Sequence, residues 1–132
     1  FGTTLAAPSI TSARFVTTTL AAGTPTCTVE VTWDERVTIA GSPQITLANG
    51  NEGTGSGRTC VLTYTATGST ANRKRFTATP TVVASDVITL GGGSQADIAL
   101  NSGTLSDTTV GGTTTAALLV LTALSAQSVT VA

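Results

Sequence analysis

The sequence contains no histidine, no methionine, and only one lysine, one tryptophan and one tyrosine among 132 residues. Without histidine the chain lacks the side chain that most often serves as general base, proton shuttle or metal ligand. A Ser-Lys or paired-carboxylate centre would need other groups, but the single Lys74 sits in a basic run and the acidic residues are scattered. A non-catalytic chain without a cofactor is the expectation. Charged residues make up 10% and the formal net charge is −1, which leaves no long-range field to draw in DNA, RNA or an anionic membrane. No nucleic-acid partner is expected. Long apolar runs are missing too: residues 116–126 are interrupted by Thr122 and Ser125 and fall short of the roughly 18–20 apolar residues of a membrane-spanning helix. No membrane insertion is expected.

The absence of methionine goes with a first residue, Phe1, that is not a usual product of initiator-Met removal. The expectation is a processed precursor or a piece of a longer protein, and no signal peptide is visible. Two cysteines, Cys27 and Cys60, permit one disulfide and prove none.

What fills the space left by charge and aromatics is threonine, with 30 residues, and glycine, with 14. Thr is β-branched and suits a pleated sheet, and Gly supplies tight turns. The length fits one domain, read as residues 8–132 behind a short N-terminal arm, residues 1–7. Short runs alternate with period two. Cys27, Val29, Val31 and Trp33 point one way and Thr28, Glu30 and Thr32 the other; Cys60, Leu62 and Tyr64 oppose Val61, Thr63 and Thr65. The pairs Ile45/Leu47, Ile88/Leu90, Ile98/Leu100 and Val129/Val131 repeat the theme. Gly, Pro, Asn and Ser clusters, such as Gly41-Ser42-Pro43, Gly91-Gly92-Gly93 and Asn101-Ser102-Gly103, recur about every ten residues, the punctuation of a sandwich or barrel. Residues 116–126 suit either a short helix or a buried strand, with the strand favoured.

The run VTWDERVTIAGSPQITLANG (residues 31–50) resembles a bacterial immunoglobulin-like repeat family of large cell-surface proteins, with relatives among phage structural proteins. Trp33, Glu35, Val37, Thr38, Gly41, Pro43 and Leu47 occupy the family's places: an alternating strand ending in an aromatic and an acidic residue, a Val-Thr pair, a Gly-x-Pro corner and a second strand. GTGSGRTCVLTYTATGS (residues 53–69) and IALNSGTLSDTTVGG (residues 98–112) continue the likeness, which spans Ala7-Pro8 to Val131 as one repeat. Two features depart from it: a longer loop at residues 68–83 carrying NRKR, and cysteines where aliphatic residues would stand. The resemblance implies an immunoglobulin-like antiparallel β-sandwich of about seven strands and a structural or surface role, and it transfers no catalytic residue.

Candidate sites are few. Asn72, Arg73, Lys74, Arg75 and Phe76 hold half of the positive charge and are read as a solvated loop, or as a docking loop for an acidic neighbouring subunit or a polysaccharide. Asp34/Glu35 and Asp97/Asp107 are the acidic pairs open to calcium, and solvated loop carboxylates are the favoured reading. Trp33 and Tyr64 are read as core, not as a sugar platform, alongside Val29, Val31, Ile45, Leu47, Leu62, Ile88, Leu100 and Leu118. If the strands bearing Cys27 and Cys60 are antiparallel neighbours, the thiols lie about six residues of rise apart at roughly 3.3 Å each, too far for a disulfide. Two unpaired thiols are therefore expected, suiting assembly in a reducing compartment. The functional expectation is a structural protein contacting other protein subunits in a virion, as a capsid decoration or tail subunit. The alternative is a module of a secreted adhesin, surface layer or filament at the cell surface; a carbohydrate-binding module lacks exposed aromatics.

Overall fold

The computed structural model of the chain describes residues 7–49, 60–93, 95–107, 116–117, 119–122 and 124–132. Nine strands run through them: β1 (Ile10–Phe15), β2 (Cys27–Trp33), β3 (Val37–Ala40), β4 (Gln44–Asn49), β5 (Cys60–Thr65), β6 (Arg73–Ala78), β7 (Val87–Leu90), β8 (Thr104–Asp107) and β9 (Gln127–Thr130). No helix is assigned among the described residues. Seven strands form one antiparallel sheet in the order β1-β2-β6-β5-β4-β7-β9, while β3 and β8 pair apart from it. The fold is all-β, antiparallel and sandwich-like.

The alternation that defines β2 on paper is the alternation that buries it. Cys27, Val29, Val31 and Trp33 are fully buried, and so are Leu62 and Cys60 on β5, Ile45 and Leu47 on β4, and Ile88 on β7. Val37 and Leu105 bring the two-stranded sheet into the same core. The long sheet curls until its edges approach each other. Leu20, beyond β1, bridges Val131, beyond β9, and the Gln127 side-chain amide donates to the Ala13 carbonyl at 2.6 Å. Curling in this way shields both edge strands from stray pairing.

Three expectations change. Leu100 is 37% exposed, because the chain turns immediately after it through Asn101 and Ser102, both at positive φ, before the alternation can return it to the core. Tyr64 is only partly buried, packed against the core from its rim. Residues 116–126 form neither a helix nor a regular strand where they are described. Ala117 and Leu121 drop into the core while Val120 is 47% exposed, and the backbone is satisfied piecemeal, by Leu105, Ile98 and Gly92 in turn. Leu118, the first six residues of the arm and the turn stretches at 50–59 and 108–115 lie outside the described residues.

The corner between β3 and β4 crosses the start of β8 at two glycines. Gly41 has φ +81°, and a Cβ there would stand 2.7 Å from the Gly103 Cα; a Cβ on Gly103 would collide with the Ala40 carbonyl oxygen. Only backbone fits between them. Gly103→Ala is expected to destabilise the domain by about 2 kcal/mol or more through this overpacking, and Phe76→Ala by about 3–5 kcal/mol through a core cavity. Urea unfolding midpoints at constant m-value measure both.

Candidate functional site

The basic run is a strand, not a loop. Residues 73–78 form β6, which pairs with β2 on one side and β5 on the other, in the middle of the sheet. Its own alternation places it there: Lys74, Phe76 and Ala78 share one face, and Arg73, Arg75 and Thr77 the other. Phe76 is fully buried and meets Tyr64 edge-on, ring centroids 6.0 Å apart. The Asn72 amide donates to the Trp33 carbonyl at 3.2 Å. The five residues thus divide between core, backbone support and surface. Among them, only Arg73 is exposed.

Across the outer face the register aligns Arg14, Glu30 and Arg75 in one row. Glu30 lies between the two guanidinium groups, with Arg14 Nη2 3.2 Å from Oε1 and Arg75 Nε 3.2 Å from Oε2. Its side chain is 7% exposed, so this carboxylate is held by cations on both sides and covered by their stems. Sequence reading placed Glu30 on the wet face and missed its role, because the partners are 16 and 45 residues away. The adjacent row is uncharged: Thr28 and Thr77 share a hydroxyl hydrogen bond at 3.0 Å, Thr77 stands opposite Thr63, and Gln44 donates to the Thr63 hydroxyl.

Lys74 points the other way. It is 9% exposed, and burial, followed by the charge of Arg36, pulls its ammonium below the ordinary lysine range. A lysine depressed in the native state binds fewer protons there than in the unfolded chain.

The acidic pairs do not converge on a metal site. Asp34 accepts a hydrogen bond from the Ser9 backbone N–H at 2.9 Å, and Glu35 and Asp97 are exposed. Asp107 departs from its expected place in a solvated loop: it lies on β8 opposite Val37 and is buried, because the β8 alternation that seats Leu105 in the core carries Asp107 to the same face. Among the described residues no group of three or more His, Cys, Asp or Glu is gathered. Trp33 is fully buried, which removes it as a sugar platform. Two open grooves lie among the described residues. One of about 310 Å³ lies at the seam between β1 and the approach to β9, lined by Thr11, Ser12, Ala13, Leu124, Ser125 and Gln127. The other, about 390 Å³, lies along β8 between Leu100 and Ala116. Neither lining includes a titratable side chain.

Cys27 and Cys60 are unbonded and fully buried, but the separation expected of them does not hold. Strands β2 and β5 are not neighbours; β6 lies between them and is antiparallel to both. They therefore run in the same direction, and Cys27 and Cys60, each first in its strand, lie at the same end. Their thiols lie close enough for each to shift the other's proton affinity. That proximity lowers the Cys27 thiol against the opposing effect of burial, and drives the Cys60 thiol up, with burial and the charge of Cys27 adding to the rise.

Two predictions separate these roles. Arg75→Glu sets a like charge against a buried carboxylate and is expected to cost about 2–4 kcal/mol in urea unfolding, whereas Arg73→Glu stays within about 0.5 kcal/mol. Between the depressed lysine pKa and the usual 10.5, wild-type stability gains a contribution as pH rises, since the unfolded state holds the extra proton. Lys74→Met lacks that dependence, so wild-type stability should rise relative to the variant's as pH climbs towards 10.5.

Comparison with protein-family models, curated proteins and solved structures gave no match to this chain.

Proposed function

We propose that this chain is a non-catalytic structural subunit that packs against other protein subunits in a phage virion, as a capsid decoration or tail component. The observation that carries the structural part is how its charges are used. Glu30, Arg14 and Arg75 bind one another across three strands, Asp34 and Asp86 fix backbone N–H groups, and Lys74 and Asp107 are buried. What β2, β6, β5 and β4 present outward is a broad, nearly neutral face of threonine hydroxyls partly tied to one another. Such a face costs little to desolvate against a complementary protein surface, and it offers hydrogen bonds without ordering long charged side chains. Arg73, exposed at the rim of this face, is a cation placed to meet an acidic neighbour. The virion setting rests on the resemblance of the run from Ala7-Pro8 to Val131 to one repeat of a family with some relatives among phage structural proteins.

A second reading, a module of an exported adhesin, surface layer or filament, is favoured by one observation. Cys27 and Cys60 stand at the same end of two co-directional strands, an arrangement suited to an oxidising compartment. The test is quantitative peptide mass spectrometry of density-gradient-purified phage particles and of the washed cell-surface and secreted fractions of the same culture. The virion reading expects the chain at a copy number comparable to that of a major particle protein. Its confinement to the surface or secreted fractions would overturn that reading in favour of the second.

A further inference from the structure

The end of β6 brings two core side chains together that no neighbouring-strand rule would pair. Ala78, the last residue of β6, is level with Cys27 on β2. On the other side Thr77 is level with Thr63, so Ala78 aligns with Leu62, and Cys60 lies two residues past the point where β6 stops. No β6 residue separates Cys60 from β2 at that level. Strands two places apart in a flat sheet lie roughly 9.6 Å from each other, yet β2 and β5 include Cα atoms within 8 Å. β2 and β5 thus approach more closely than a flat sheet allows, and both cysteines, each first in its strand, are 0% exposed.

We propose that Cys27 and Cys60 are a disulfide-forming pair, which closes when the chain folds in the presence of a small-molecule disulfide and stays reduced when it folds without one. In the closing step one cysteine thiolate attacks the oxidant disulfide and displaces one thiolate from it. The second cysteine thiolate then attacks the protein sulfur of the mixed disulfide and displaces the other. One S–S bond forms and one breaks; the two cysteine sulfurs lose two electrons, the oxidant sulfurs gain them, and the two S–H protons end on the two released thiols. The bond ties β2 to β5 across the end of β6 and closes a loop that contains β3, β4 and residues 50–59. Because neither sulfur reaches solvent, the exchange belongs to folding, and the finished fold protects whichever state it was built in. The pair is independent of which assembly the chain serves.

The test uses the whole chain, unfolded in urea with its thiols reduced, then refolded with either glutathione disulfide or reduced glutathione. Expected with the disulfide is a monomer whose intact mass is lower by two hydrogens. It should label with no maleimide after denaturation, and its thermal midpoint should exceed that of the reduced form by roughly 10 °C. The reduced refold should keep two labelled thiols, and adding glutathione disulfide to it after folding should change nothing until urea is added. Monomers that keep two free thiols, mixed disulfides with glutathione, intermolecular dimers, or a cross-linked form no more stable than the reduced one would each overturn the proposal, as would rapid oxidation of the folded reduced protein. Cys27→Ala and Cys60→Ala, each refolded both ways, should show no midpoint difference between the two buffers; a rise of the wild-type size in either would also overturn it.

Discussion

The backbone pairing of β6 between β2 and β5 is the constraint on which the rest of this molecule depends. A strand inserted between two others must be antiparallel to both here, so it makes its flanking strands co-directional. From that one arrangement follow the burial of Phe76 beneath Tyr64, the seating of Arg75 beside Glu30, the inward turn of Lys74 and the meeting of Cys27 with Cys60 at a shared end. Hydrogen bonding supplies the register, and the pleat decides which side chains pay desolvation.

The cost falls unevenly. On the core face Phe76 and Ala78 are ordinary occupants, but Lys74 is carried in with them, and its ammonium is destabilised by the position its strand imposes. On the outer face the cationic side chains of the same strand gain. Arg75 finds a carboxylate already flanked by Arg14, and a row of three charges with alternating sign crosses three strands. Replacing that row with threonine would keep the sheet but lose the cross-strand charge pairing that helps set its register.

This use of charge shapes the functional reading. Arg14, Glu30 and Arg75 face each other, and Asp34 and Asp86 face backbone N–H groups. Around them the outer face of β2, β6, β5 and β4 carries threonine hydroxyls tied to one another, with exposed Arg73 at one edge. The proposed apposition to another protein surface rests on this character of the outer face.

Much of the fold was legible in the chain. The alternation in β2, β4, β5, β7 and β9 and the turn residues between them announce an antiparallel sandwich, because period two and tight turns are local properties of the backbone. The same alternation is present in residues 73–78, where Lys74, Phe76 and Ala78 oppose Arg73, Arg75 and Thr77, but a run of three cations outweighed it, since charge is read as solvent exposure when the partner is unseen. Glu30 gives no local sign that it will be flanked by residues 14 and 75. Leu100 and residues 116–126 are apolar yet do not follow a strand, because the turn at Asn101 and Ser102 and the docking against β7 and β8 decide where their side chains go. The distance between Cys27 and Cys60 depends wholly on strand order. Sequence by itself determined which residues alternate and therefore the class of fold. Only tertiary structure decided which strand lies next to which, because pairing partners are chosen by packing between segments far apart in the chain, and one intervening strand reverses the sense in which two others run.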